Sequence, residues 1–444
     1  MRTGNGLAVR IASAVIGLGV LLAGRPALAV GEAQNGFPNW SERVLHQWMN
    51  RARVDPATEL MGCPAGNCPD KGCYTATAPL YWNLKLGRAA RYHSDEMQKQ
   101  GYAGLDHNSE CTIVSNIDAL YPGSCDGSAA CGCVGGKRQC MTTCQDFSQR
   151  VALFGNGTSG EIIAGGTNPN SAFYLWLYEA GTNATCAYSA DKGHRWNILK
   201  AGPSVGTGVS SGPLYGGTSV GDFGPGGTAH KIPSGSHYPQ SGTSVEAWAN
   251  WYDTAAPTQA LVNVDGTCTP LTRKRGSDPN GAYSAMLSGL SATGCARYYF
   301  VFKDSTGAEV TYPTTGSLGI GPAASCPDFS TARPGTCGCK PMCTGKVCGD
   351  DMCGGTCGTC ASGSCQSGQC VMPQSGGDGG TGGTDGGGGE MIPTDTLGGG
   401  CSCQLGSGAG PIGTGFGAAP AAALAGLLLS IMLVRSGARR RRAV

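Results

Sequence analysis

The sequence predicts an α+β chain: helices in the N-terminal half, short strands in the middle, then a region ordered by disulfides. Three observations carry this. Apolar residues recur at helical spacing between cap signals in the first 200 residues. β-type runs bounded by turn residues fill the stretch from about Ile232 to Gly321. Ten cysteines then fall within Cys326–Cys370. Overall, 24 cysteines and 76 glycines in 444 residues do not suit a plain cytosolic enzyme. With 14% charged residues and a net charge of +2, nothing electrostatic argues for a nucleic-acid partner.

The two ends read as addresses. Arg2 and Arg10, the apolar run Ile11–Ala23 and Ala27-Leu28-Ala29 make residues 1–29 a cleaved signal peptide. Export makes disulfides the expected state of the cysteines. At the other end, Ala418–Val434 is almost wholly apolar and is followed by Arg435 and Arg439–Arg442. That predicts a transmembrane segment over 417–434 with its arginine end in the cytoplasm and the bulk of the chain outside.

Asn39 caps a first helix, with Glu42 three residues on and Val44, Leu45 and Trp48 on one face; Pro56 limits it. A second helix runs from about Leu84 to Gln100, with Leu86, Ala89, Ala90, His93 and Met97 as its inward stripe and Gly101 as its stop. His93 there is expected to be a core histidine satisfied by hydrogen bonds. The loop Asp106-His107-Asn108-Ser109 follows, where a side chain can be presented. Residues 111–144 read as a disulfide-stapled insertion with little apolar periodicity, zinc being the weaker alternative. Pro169–Ala180, capped by Asn168, is a further helix; Ala190–Leu199 is a short one; Val205–Val209 and Thr218–Phe223 are strands.

Beyond these come Val245–Trp251, Ala260–Val264, Arg297–Lys303 and Glu309–Tyr312, a small β-sandwich over 230–322 with Cys268 and Cys295 as its one staple. Tyr298–Phe302 reads as a strand buried on both faces. Residues 326–372 hold too few apolar side chains for a core, so bridges must order this stalk. Within it Cys357-x2-Cys360 has the spacing of half a zinc knuckle. Residues 373–400 form a glycine-rich linker.

His107, Glu161, Glu179 and His194 are the residues that could carry chemistry. Imidazole and carboxylate are sound ligands for zinc or another divalent metal, and the same groups act as general acids and bases. No Gly-x-Ser-x-Gly elbow, His-Glu-x-x-His helix or phosphate loop is present.

Ala78-Pro79-Leu80-Tyr81-Trp82-Asn83, His107-Asn108-Ser109, Gly160-Glu161-Ile162-Ile163-Ala164, Trp176-x-x-Glu179 and Gly193-His194-Arg195-x-Asn197-Ile198-Leu199 follow one another in this order. The series resembles the CAP superfamily, the SCP-like group of cysteine-rich secretory proteins, antigen 5 and pathogenesis-related proteins. The resemblance covers roughly residues 40–225 and places such a domain over 38–226. It implies an α-β-α sandwich around a cleft lined by His107, Glu161, Glu179 and His194. His107 lies 54 positions before Glu161, so the insertion at 111–144 must bulge out as a separate lobe for the two to meet. Residues 401–444, with Cys401-Ser402-Cys403 before the apolar span, resemble the myxobacterial C-terminal sorting signal. That implies processing or lipid attachment at Cys401 or Cys403 and retention at the cell surface.

Three functions follow as expectations. The first is an exported, surface-anchored module whose cleft takes a lipid, glycan or peptide, with or without a divalent metal. The second is a metal-assisted extracellular hydrolase using the tetrad. The third is an adhesive or structural surface protein working through the sandwich and stalk.

Overall fold

The computed structural model describes residues 38–130, 133–134, 145–339, 342–351 and 355–372. The signal peptide, the glycine-rich linker, Cys401, Cys403 and the span at 417–434 lie outside them. Among the described residues no helix is long and apolar enough to cross a membrane.

The first domain is a three-layer arrangement. Its sheet has the order β1 (Tyr81–Trp82), β3 (Ser204–Ser211), β4 (Gly217–Gly224), β2 (Gly160–Gly165), with β1 parallel to β3 and the other pairs antiparallel. Helix α2 (Leu84–Lys99) lies on one face, where Ala90 and Met97 pack with Ile163 and Val220. Gly206 and Gly208 allow this approach: a Cβ at either would stand 1.8 Å from the amide of Gly87 or 2.2 Å from that of Arg91. The other face takes α1 (Trp40–Val54), α4 (Pro169–Leu177) and α5 (Gly193–Lys200), whose apolar side chains meet Ile162, Val205 and Phe223. Alternation along β2 thus sends Ile162 and Ile163 to opposite cores, as a strand covered on both faces requires.

The insertion does not stand apart as a separate lobe over its first part. Ile113, Ile117, Tyr121 and Cys125 are buried against Leu86, Ala89 and Tyr92 of α2 and against Val151 and Phe154. These four recur at intervals of four, a helix-like spacing hidden among glycines and cysteines. Helix α3 (Phe147–Leu153), started by an Asp146–Gln149 capping box, closes the same cluster.

Two sheets form the second part. One has the order β14 (Phe329–Ser330), β13 (Ser317–Ile320), β11 (Ala296–Lys303), β7 (Gln259–Val264), β8 (Thr267–Pro270), β15 (Gly338–Cys339), with β12 (Glu309–Tyr312) also on β11. The other has β9 (Thr272–Gly276), β10 (Asn280–Ser288), β6 (Ser244–Tyr252), β5 (Gly235–Tyr238). Trp251, Phe300, Phe302 and Tyr312 fill the space between them. Tyr298–Phe302 is buried throughout. Cys268 and Cys295 do not form one staple: they bond Cys337 and Cys326 respectively, tying the start of the cysteine-rich segment to the sheet. Downstream, Cys343–Cys357, Cys348–Cys365 and Cys360–Cys370 hold the chain. Cys357 and Cys360 are therefore in different bridges, and neither offers a thiolate to zinc.

Helix α1 joins the two parts. Every residue of it except Ser41 is buried, because the β5–β6 side of the second part covers the face that an isolated domain would wet. Trp48 meets Trp248 edge to face at 6.1 Å, with the Arg51 guanidinium 4.0 Å from the Trp48 ring centroid. Gln47 donates to Asn250 at 2.6 Å, and Asn250 donates to the Asn50 carbonyl at 3.1 Å.

Candidate ligand-binding cleft

The chemistry gathers where the start of β2 meets the loop after α2 and the N-terminus of α5. Gly160 opens β2 beneath the Asn197 side chain, and a Cβ there would lie 2.6 Å from Asn197 Oδ1, so only glycine lets α5 close on the strand edge. One residue on, Glu161 points to the α2 face beside its cross-strand partner Asp222. His107 Nδ1 lies 2.8 Å from Glu161 Oε1. On the other side, His194 at the head of α5 has Nδ1 3.0 Å from Glu179 Oε2, and Glu179 Oε1 accepts the Arg195 backbone N–H at 2.7 Å. A cavity of about 680 Å³ lies between, lined by His107, Glu161 and His194. Glu179 stands behind His194 and does not line it.

The four residues thus form two histidine–carboxylate pairs. Among the described residues, no three His or carboxylate donor atoms of the cleft come within 4.8 Å of one another. In each pair Nδ1 is engaged by the carboxylate, so Nε2 is the ring nitrogen left for a ligand.

Behind Glu161 lies a buried network that sequence reasoning missed. Arg150 of α3 is fully buried and donates Nη2 to Glu161 Oε2, and Nη1 to the His107 carbonyl and to Ser109 Oγ, both at 3.1 Å. Ser109 Oγ in turn donates to Glu96 at 2.7 Å. Burial would raise the Glu161 pKa, but the Arg150 guanidinium, with His93 and His107, holds it at about 2. Asp222 goes the other way: burial first, then the charge of Glu161, push its pKa well up. Neither Asp222 oxygen meets a donor, which fits a protonated carboxyl that is itself the donor toward Glu161. His93 is the satisfied core histidine, held by Glu96 at 2.5 Å and the Asp106 carbonyl at 2.7 Å.

The His194 side has its own anchor. Arg195 is buried, donates Nη1 to the carbonyls of Leu177 and Glu179, and pairs Nη2 with Asp70 at 2.9 Å. Tyr74 donates to the same carboxylate at 2.6 Å. Burial opposes the charge on Asp70, yet Tyr74 and Arg195 lower its pKa. The Cys73–Cys186 bridge joins this segment to the loop before α5. Gly-His-Arg was legible as a motif, whereas the buried role of Arg195 needed Asp70 brought in from 125 positions away.

Residues 74–223 match the family model described as the cysteine-rich secretory protein family, CAP. No curated protein matches the chain.

Proposed function

Because the domain spanning residues 74–223 belongs to the CAP superfamily, we propose that this disulfide-bonded chain is an exported protein whose cleft between His107 and His194 binds a small extracellular ligand. The observation that carries the reading is the pairing itself: two carboxylates each hold an imidazole by Nδ1 at the rim of one cavity, which leaves both Nε2 atoms for a ligand. Disulfides across the described domain, including Cys73–Cys186, suit an oxidising compartment. Surface attachment through the C-terminal span, with processing at Cys401 or Cys403, belongs to the same proposal. Mass spectrometry of the membrane-associated protein tests it: a C-terminus far beyond both cysteines would overturn processing there.

By donor chemistry alone, two imidazoles suit a divalent metal such as zinc, with water completing its coordination. His107 and His194 would hold it through Nε2, with Glu161 and Glu179 as the carboxylates that orient them, and it would polarise a ligand oxygen. Titration calorimetry on metal-stripped protein should show zinc uptake that is lost in His107→Ala/His194→Ala; identical uptake in both proteins would end the metal reading.

Hydrolysis is the second reading, favoured by the same pairs, since an imidazole fixed at Nδ1 by a carboxylate accepts a proton at Nε2. Glu161, ionised down to about pH 2, orients and does not deliver protons. Turnover unchanged in Glu161→Gln would remove this reading.

A further inference from the structure

We infer that the cleft is built for a neutral oligosaccharide and that the side-chain amide of Asn197 reads its hydroxyl groups. This rests on the reading of the cavity as a ligand site and names the class of ligand.

Asn197 is the first observation. It is 8% exposed, lines the cavity, and its amide makes no hydrogen bond among the described residues. Its amide atoms are not sealed from solvent, so a ligand entering the cavity meets them in place of water. Its Oδ1 and Nδ2 offer an acceptor and two donors side by side, which suits adjacent hydroxyls or an acetamido group.

The walls are the second observation. Phe147 packs edge-on against His107 at 6.2 Å between ring centroids. On the far side Tyr188, 60% exposed, meets Trp196 edge-on at 6.1 Å. Aromatic rings therefore line the cavity together with both histidines, and such rings take the C–H face of a pyranose while polar groups take its edge.

The described lining argues against the competing ligands. Among the described residues no Leu, Ile, Val or Met lines the cavity, and Ala190 and Ala201 are the only aliphatic side chains there. An acyl chain or sterol would have almost no aliphatic wall. Among the described residues no lysine or arginine lines it either, so an anionic ligand would find no permanent cation on those walls. A peptide added as a strand to the free edge of β2 would need that edge at Gly160, where Asn197 already covers it.

The test is calorimetry with the full chain against chitotetraose, cellotetraose and maltotetraose, with sodium palmitate and an unstructured alanine-rich peptide as comparison probes. The expected result is saturable binding of at least one tetrasaccharide, weakened at least tenfold in Asn197→Ala and in Trp196→Ala. Asn197→Asp, which keeps the shape and removes both donors, should weaken it similarly. Thermal unfolding of the Asn197 variants at the native temperature shows that they fold. Sugar binding unchanged in Asn197→Ala would overturn the assignment of the site. Binding of palmitate or peptide without any sugar would overturn the ligand class and leave the ligand-binding reading standing. Binding of none of the probes would overturn the oligosaccharide class, and with no zinc uptake besides it would overturn the ligand-binding reading as well.

Discussion

Arg150 reaches Glu161 from a helix that closes the cysteine-rich insertion, and its guanidinium is sealed from solvent against that carboxylate. The insertion is thereby part of the cleft: the same side chain holds the backbone of His107 and touches Ser109. Removing one partner of a buried pair leaves the other charge uncompensated, at a cost of about 3–5 kcal/mol. Arg150→Met should therefore destabilise the protein by roughly that amount and raise the Glu161 pKa. Denaturant unfolding monitored by tryptophan fluorescence measures the first effect. A loss under about 1 kcal/mol would show that Glu161 is held by something else.

Asp222 provides a test of the proton it holds. Its pKa is raised in the folded state, so the fold binds more protons there than the unfolded chain does above pH 3.8. The sign follows: the stability of the native protein falls as pH rises above the unfolded value. Asp222→Asn carries no titrating group, so the stability gap between variant and native protein should move in the variant's favour from pH 4 to pH 8. Urea midpoints across that range measure it. A gap independent of pH would mean that Asp222 is already ionised.

How much of this was readable beforehand varies by residue. Helix α1 was legible through Asn39, Glu42 and the spacing of Val44, Leu45 and Trp48, because caps and periodicity are local signals. The strand Tyr298–Phe302 was legible from its apolar run. His107, Glu161, Glu179 and His194 were legible as a set through the ordered motifs around them. That they act as two pairs was not, since pairing depends on which oxygen each ring faces. Arg150 was hidden for another reason. A charged residue in a cysteine-rich stretch reads as solvated surface, and only the closure of α3 onto α2 buries it. The covered outer face of α1 escaped notice likewise, because Gln47, Asn50 and Arg51 read as polar surface until the second part packs on them.

The Cys73–Cys186 bridge closes a loop of 113 residues and joins the Asp70–Tyr74 anchor to the segment leading into His194. Loop entropy alone gives such a bridge about 4–5 kcal/mol in the chain-entropy model. Cys73→Ser/Cys186→Ser should lose roughly 3–5 kcal/mol of stability and weaken any zinc binding through His194. Thermal unfolding with and without zinc separates the two effects. A variant of native stability would show that Arg195 and Lys192 on Asp70 hold this corner without the bridge.

His46, buried inside the first domain, and His237, which packs against Trp40 of α1 from the second part, make the fold sensitive to acid. His46 Nε2 donates to the Leu80 carbonyl at 2.8 Å, and burial lowers its pKa to about 4. His237 Nε2 donates to the Gln240 carbonyl at 3.0 Å and its Nδ1 accepts from the Tyr298 hydroxyl at 2.9 Å. Burial, against that carbonyl bond and with a smaller push from Arg43, takes its pKa to about 3. Both are neutral in the fold and protonate near 6.5 once unfolded, so the unfolded chain binds more protons between those values. Their contribution is whole above pH 6.5 and is lost as pH falls toward 4 and 3, on the order of 3 kcal/mol for His46. Glu42, raised to about 7 by burial despite Arg91, works in the opposite sense and partly masks the effect in the native protein. The comparison must therefore be between native protein and His46→Gln. The stability of the native protein relative to the variant should fall steadily from pH 6.5 to 4 and level off below. A difference that stays flat over that window would show that His46 keeps its proton in the fold.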